Sequence, residues 1–134
     1  MAAKTIRGKI FSGVGVARLV MPLDVMTMIR ERTGFSNLKA GTLNVRLDQP
    51  HVHRADYTLA KEERTDGSQE DWRFELCRVS RNDIGVRALI LRTTTNYHGN
   101  CVLELMAEHG LRDFFKLNEG DEVQVEVTDR RTDT

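Results

Sequence analysis

Residues 72–90 have the sequence WRFELCRVSRNDIGVRALI, and this stretch decides the fold class. Before its centre Trp72, Phe74 and Leu76 occupy every second position, and after it Val86 and Ile90 continue the same alternation. Side chains of a strand point alternately to its two faces, so this spacing is typical of half-buried strands. The polar pair at positions 82–83 separates the two runs. We therefore expect two neighbouring strands that pair with each other.

Alternating or short apolar runs occur elsewhere along the chain as well. They cover Thr5–Phe11, Val16–Met21, Thr42–Leu47, Cys101–Ala107 and Val123–Val127. With the central pair this gives about seven short strands. Strands do not alternate regularly with helices along the sequence, so a parallel sheet is not predicted. The pattern predicts a mainly β protein that forms a small, mostly antiparallel barrel.

One segment, Pro22–Thr33, has helical spacing, with apolar residues three positions apart. Proline in its first turn, cations in its last turn and Gly34 just beyond are start and stop signals of a helix. We expect this helix to cover one opening of the barrel. A single helical turn is expected at Leu111–Phe115.

Length and charge limit the function classes. The chain has 134 residues, which predicts one domain over 1–134 with a frayed tail at 128–134. Twenty basic and twenty acidic residues balance, so no overall field favours nucleic acid. No apolar run approaches the roughly 20 residues of a membrane span, and the first residues lack a signal-peptide pattern. A cytoplasmic monomer that binds neither nucleic acid nor membrane is expected.

Cysteine and histidine do not predict a metal centre here. Cys77 and Cys101 both lie in predicted strands, where buried thiols are expected rather than a disulfide. His51 and His53 lie on one side of an extended segment, but a zinc site needs further ligands. Residues 48–70 are charged and turn-prone, which predicts a mobile surface excursion.

A first candidate site is the glycine-bearing link Ser12–Arg18, with the sequence SGVGVAR. Without Cβ atoms a backbone can approach a phosphate chain and direct its N–H groups at it. Neither a Walker nor a dinucleotide-binding pattern is present, so an ordinary turn between strands remains an alternative.

A second candidate is the pair Thr42 and Asn44, which alternation places on the same side of a strand. A hydroxyl and an amide oxygen are neutral hard ligands, enough for a Mg²⁺ that takes its other partners from phosphates and water. The alternative is a polar outer face of the strand.

A third candidate is the segment from Thr93 to Arg112, which includes Thr95 and, at the centre of an apolar strand, Glu104. An inward carboxylate could accept a proton from a substrate hydroxyl, or could hydrogen-bond the backbone. Arg112 could bind a phosphate or pair with a neighbouring acid.

Taken together, three stretches resemble the archaeal CTP-dependent riboflavin kinases. They are GKIFSGVGVAR at 8–18, GFSNLKAGTLNV at 34–45, and TNYHGNCVLELMAEHGLRDFFKLNEGDEVQVEV at 95–127. That family carries a Ser-Gly-x-Gly-x-Gly loop, a Gly-Thr-Leu-Asn-Val strand, a Thr-x-Tyr, a Leu-Arg pair and a Leu-x-x-Gly-Asp turn. The resemblance covers nearly the whole chain except residues 48–85.

The resemblance implies a six-stranded cradle-loop barrel that phosphorylates the 5′-hydroxyl of riboflavin, with CTP as donor and Mg²⁺ as cofactor. The residues implied for the nucleotide are Gly13, Val14, Gly15, Val16, Ala17, Arg18, His109, Gly110, Leu111 and Arg112. Those implied for the flavin are Thr95 and Glu104, and those for the metal are Thr42 and Asn44. Glu104 is then the candidate catalytic base or orienting group.

This chain departs from the family pattern at a few positions. Val16 and Ala17 stand where the family usually has an acid and the third glycine, and Glu108 puts an anion near the expected nucleotide site. These departures keep a second hypothesis open, a non-catalytic barrel that binds a flavin, a nucleotide or another small ligand. A structural barrel without affinity for either ligand is a third.

Overall fold

The computed structural model describes residues 3–12, 22–64, 67, 69–94 and 99–128. Its strands are β1 Ala3–Phe11, β2 Leu43–Leu47, β3 Tyr57–Leu59, β4 Trp72–Arg81, β5 Ile84–Thr93, β6 Val102–Ala107 and β7 Glu122–Thr128. Its helices are α1 Leu23–Thr33, α2 Leu111–Phe114 and a 3₁₀ turn at Lys61–Glu63. The predicted strand Val16–Met21 and the predicted tail after Thr128 lie outside the described residues.

Six strands close into an antiparallel barrel in the order β4-β5-β6-β2-β1-β7, with β7 pairing back onto β4. Closure is possible because β4 is long: its residues 72–74 pair with the short β3, and its residues 77–80 pair with β7. Closing the sheet removes the exposed edges that invite aggregation. The predicted mainly β, six-stranded barrel is confirmed.

The hairpin β4–β5 is the pairing that the opening stretch of sequence predicts. The register joins Trp72 to Thr93 and Ser80 to Gly85 around a two-residue turn. Asn82 and Asp83 have φ values of 54° and 65° in that turn, the left-handed region that Asn and Asp tolerate best after glycine. The local chemistry of the turn therefore agrees with the register.

The inner face of the barrel forms one apolar core. Its members include Ile10, Val45, Ile90, Leu103 and Val125, each at most 1% exposed. At the end where β6 stops, α2 adds Leu111 to the same core, and the residues just after α2 add Leu117 and the partly buried Phe115. The predicted helical turn therefore closes one opening of the barrel, and we call this the α2 end.

Helix α1 begins and ends within one residue of its predicted bounds. Gly34 adopts φ 76° and its N–H donates to the carbonyl of Arg30, which ends the helix as the sequence predicts. The expected position over an opening was wrong, because Val25, Met26 and Ile29 pack on the outer wall of the barrel. That wall carries apolar side chains of its own, including Leu89, Leu91 and Met106, so a covering helix is needed there.

Two further expectations are corrected by the fold. Cys77 is buried in the core, but Cys101 is exposed because it lies in the turn before β6. Burial raises the pKa of the Cys77 thiol. The surface excursion at 48–70 was wrong for its first part, since Leu59 is fully buried in the cluster under α1 and His51 is only 4% exposed.

Candidate active site

The described part of the chain contains seven of the predicted site residues. They are Thr42, Asn44, Glu104, His109, Gly110, Leu111 and Arg112. Gly13, Val14, Gly15, Val16, Ala17, Arg18 and Thr95 lie outside it.

A cavity of about 260 Å³ lies at the α2 end of the barrel. Its wall is formed by the end of β1, residues 39–44 before and within β2, the end of β6 and residues 109–113 around the start of α2. The cavity brings together the predicted metal ligands and the predicted nucleotide segment 109–112, which are about 65 residues apart in the chain. Glu104 does not line it.

Asn44 lies on the outer face of β2, between Phe11 on β1 and Glu104 on β6. Its neighbours Leu43 and Val45 point into the core, so Asn44 and the preceding Thr42 point the other way. Asn44 is only 8% exposed, and its Oδ1 has no hydrogen-bond partner among the described residues. A buried acceptor left unpaired costs about 1–3 kcal/mol, which is a reason to expect a ligand there.

The two side chains fit a small hard cation. Thr42 offers a hydroxyl and Asn44 a buried, unbonded amide oxygen, and both residues line one cavity. Mg²⁺ takes oxygen ligands and keeps positions for substrate phosphates and water, so two neutral oxygens can form the protein side of such a site. The alternative from the sequence is a polar outer face of the strand. In the structure Asn44 is buried on that face, and Thr42 and Asn44 both line the cavity.

Glu104 is half-buried beside Asn44, and its other cross-strand neighbour is Leu91 on β5. Arg92 interacts electrostatically with Glu104. Burial lowers the pKa of the Arg92 guanidinium, while the carboxylates of Glu104 and Glu75 raise it. Arg92 Nη1 also donates to the carbonyl of Gly99, at the turn that leads into β6. The buried Arg92 thus interacts both with Glu104 and with the turn that precedes β6.

Glu119 connects the end of β1 to the α2 turn at the rim of the cavity. Its carboxylate accepts hydrogen bonds from the Ser12 N–H at 3.0 Å and from the Ser12 hydroxyl at 3.2 Å. The same carboxylate lies 4.0 Å from Arg112 Nη2. Ser12, the first residue of the glycine-bearing link, is therefore held next to the predicted nucleotide segment.

Glu108 was expected to place an anion near the nucleotide site, but it does not line the cavity. Its carboxylate accepts a hydrogen bond from the Asn37 N–H at 3.0 Å and forms an ion pair with Arg87 at 2.9 Å. The Asn37 hydrogen bond, followed by the Arg87 hydrogen bond, lowers the pKa of Glu108. The charge of Glu108 is thus bound to the loop after α1 and to β5.

Lys39 lines the cavity and was not singled out from the sequence. No motif marked it, since it is one lysine in a loop of ordinary composition. It lies close to Thr42 and Asn44 in the sequence, and only the folded chain adds Arg112 to the same cavity wall.

The histidines that the sequence weighed as zinc ligands lie at the opposite end of the barrel. His51 Nε2 is 2.7 Å from Glu75 Oε1, and His53 Nε2 donates to the carbonyl of Ile90 at 2.9 Å. Burial lowers the pKa of His53. Among the residues that the structure describes, no three His, Cys, Asp or Glu side chains form a metal-binding cluster.

No helix within the described ranges is long and apolar enough to cross a membrane.

A family model for the CTP-dependent riboflavin kinase domain, described as domain of unknown function DUF120, matches residues 10–127. The chain is 31% identical over 134 residues to a riboflavin kinase of Archaeoglobus fulgidus, covering 91% of this chain and 54% of that protein. It is 31% identical over 129 residues to a riboflavin kinase of Methanocella arvoryzae, with 92% and 56% covered.

A riboflavin kinase of Ignicoccus hospitalis is 30% identical over 127 residues, with 92% of this chain and 70% of that protein covered. The chain spans about half the length of the first two relatives. The match of the family model begins at the last two residues of β1 and ends within the last strand, so it includes all of β2–β6 and nearly all of β7. This chain belongs to the CTP-dependent riboflavin kinase domain family.

Proposed function

We propose that this domain is a CTP-dependent riboflavin kinase, which transfers the γ-phosphate of CTP to the 5′-hydroxyl of riboflavin and releases FMN and CDP. Family membership supports the reaction class. The observation that carries the proposal is the buried, unbonded Oδ1 of Asn44 beside Thr42, on the wall of the cavity that also contains residues 109–112. An enzyme that binds a metal–nucleotide complex needs an arrangement of this kind.

The nucleotide is proposed to bind in this cavity. Residues 109–112 supply one wall, and Arg112 supplies a guanidinium suited to phosphate. Ser12 lines the cavity close to Arg112, and the segment Gly13–Arg18 follows it in the chain. Backbone N–H groups of that segment are proposed to bind the phosphate chain, as the glycines at positions 13 and 15 favour.

Thr42 and Asn44 are proposed to hold Mg²⁺ through their side-chain oxygens. When bound, the ion neutralises part of the charge on the phosphate chain and helps to align it. Since both ligands are neutral, the phosphates and water would supply the remaining ligands.

Glu104 is proposed to act at the flavin end, together with Thr95. Its register opposite Asn44 places a carboxylate on the same outer face as the proposed metal ligands, one strand away. In the transfer, the 5′-hydroxyl oxygen bonds to the γ-phosphorus, and the bond from that phosphorus to the bridging oxygen breaks. CDP leaves, and Glu104 accepts the hydroxyl proton or orients the hydroxyl for attack.

A cytoplasmic location and a monomeric state, with no nucleic-acid or membrane partner, stay predictions from the sequence. Balanced charge is the support for the absence of a nucleic-acid partner.

The test is to incubate the purified chain with riboflavin, Mg²⁺ and CTP, ATP, GTP or UTP in separate reactions, and to separate the flavins by chromatography. FMN formed preferentially with CTP would support the kinase. If a folded protein yields no FMN with any nucleotide, the kinase proposal is wrong, and binding measurements with riboflavin and CDP would then test the non-catalytic barrel.

A further inference from the structure

Lys39 lies in the loop between α1 and β2 and forms part of the cavity wall. We propose that Lys39 binds the phosphate chain of the nucleotide and supplies a fixed positive charge beside the metal ligands. This inference deepens the proposed function and rests on it.

The backbone of this loop is held at several points. The Lys39 N–H donates to the carbonyl of Ala107 at the end of β6, at 2.9 Å. The carbonyl of Leu38 accepts two hydrogen bonds from Arg30 of α1, at 2.7 and 3.0 Å, and the Leu38 side chain is fully buried. Asn37 is bound to Glu108 through its N–H. Lys39 therefore starts from a fixed Cα between α1 and β6, although its side chain is exposed.

The charges around the cavity leave Lys39 available for a ligand. The other cation of the wall, Arg112, lies 4.0 Å from the Glu119 carboxylate, which is itself bonded to Ser12. Lys39 has no ion pair within the described portion of the chain, and Asp113 is the acid that lines the cavity. A lysine with an anchored backbone, no ion pair to any described residue and a cavity beside it is well placed to bind an anion.

Phosphate chemistry explains why such a charge would be useful. A nucleoside triphosphate remains anionic after it binds one Mg²⁺, and phosphoryl transfer depends mainly on positioning and on stabilising this charge. An ammonium group is a compact point charge with three donors, which suits phosphate oxygens. The chain has no Gly-Lys-Ser or Gly-Lys-Thr sequence, so it has no P-loop lysine to bind the phosphates. Lys39 would supply the equivalent charge from the loop before β2.

The test compares nucleotide binding by the whole chain and by Lys39→Met, with Lys39→Arg as the charge-preserving variant. Calorimetric titrations use cytidine, CMP, CDP and CTP, each with Mg²⁺ and with a chelator. The matched control is Lys61→Met, because Lys61 is also exposed but lies in the 3₁₀ turn away from the cavity. Circular dichroism and thermal unfolding establish that each variant is folded.

We expect Lys39→Met to weaken CTP binding by about tenfold, the size of one charge-assisted hydrogen bond, and to leave cytidine binding within about twofold. The loss should grow with the number of phosphates, Lys39→Arg should recover most of it, and Lys61→Met should match the unaltered chain. The dependence of CTP affinity on salt concentration should also become shallower in Lys39→Met.

The outcomes separate this inference from the proposed function. If the unaltered chain binds CTP and makes FMN while Lys39→Met binds CTP equally well, the role of Lys39 is wrong and the kinase stands. If Lys39→Met weakens cytidine and CTP by the same factor, the lysine acts on the shape of the cavity and not on phosphate, which also overturns the inference. If the unaltered chain binds none of the nucleotides, both proposals are wrong.

Discussion

Asn44 and Glu104 face each other directly across β2 and β6 on the outer wall of the barrel, and Asn44 Oδ1 is buried without a hydrogen bond in the described part of the chain. The two residues are sixty positions apart, and the antiparallel register alone makes them neighbours. On one side of this pair lies the cavity with Thr42, and on the other lies buried Arg92 within electrostatic reach of Glu104. A proposed metal ligand and a proposed proton acceptor are thus held by the same two strands.

The unbonded oxygen of Asn44 predicts that function and stability respond in opposite directions. Asn44→Leu should abolish FMN formation, because a proposed metal ligand is lost. Its free energy of unfolding should stay equal or rise by about 1 kcal/mol, since a buried acceptor without a partner is removed. Urea unfolding and the chromatographic assay measure the two effects. Gln124→Ala, an exposed change on β7, is the control and should alter neither. Normal turnover by Asn44→Leu would exclude the metal assignment.

The position of Glu104 outside the cavity predicts a split between kcat and KM. Glu104→Gln keeps the size of the side chain but cannot accept the proton as a carboxylate does, so kcat should fall by about 10²- to 10⁴-fold. KM for CTP should change little, because Glu104 does not line the nucleotide cavity. Steady-state kinetics with each substrate varied in turn check this. A rise in KM for CTP with kcat unchanged would place Glu104 at the nucleotide instead.

The bonds of Glu108 predict a pH dependence of stability that is independent of catalysis. The Asn37 N–H and Arg87 lower the pKa of Glu108 in the folded chain, so its stabilising contribution is fully present above its ordinary pKa of 4.5. The contribution is lost as the pH falls below 4.5 through the lowered folded value. In Glu108→Gln the free energy of unfolding should therefore decrease less between pH 6 and pH 3 than in the unaltered chain. The value of kcat should not change. An unchanged acid profile in this variant would contradict the assignment.

The packing of α1 on the outer wall predicts unequal costs along one helix. Ile29 is fully buried against the wall, so Ile29→Ala should lower the free energy of unfolding by about 2–5 kcal/mol. Leu23 lies on the same helix but is 78% exposed, and Leu23→Ala should change it by less than about 0.5 kcal/mol. Chemical denaturation of both variants measures the difference. Equal costs would show that α1 does not pack on the wall as described.

Much of the site could be anticipated from sequence because its residues fall into short motifs. Thr42 and Asn44 share a side of one strand by simple alternation, and residues 109–112 are contiguous. Lys39 carried no such signal, since its proposed role depends on a hydrogen bond to Ala107 and on a cavity wall shared with α2. The fate of Glu108 was equally hidden, because its partners Arg87 and Asn37 are 21 and 71 residues away along the chain.

Two local elements follow from the amino-acid sequence alone: the β4–β5 hairpin around Asn82–Asp83 and the stop of α1 at Gly34. These depend on periodicity, on turn residues and on left-handed backbone conformations, which are all properties of neighbouring residues. Only the tertiary structure decided the closure of β7 onto β4, the side of the barrel that α1 covers, and the exposure of Cys101. Each of these depends on surfaces from distant parts of the chain, where the burial of apolar area selects the partner and local pattern cannot.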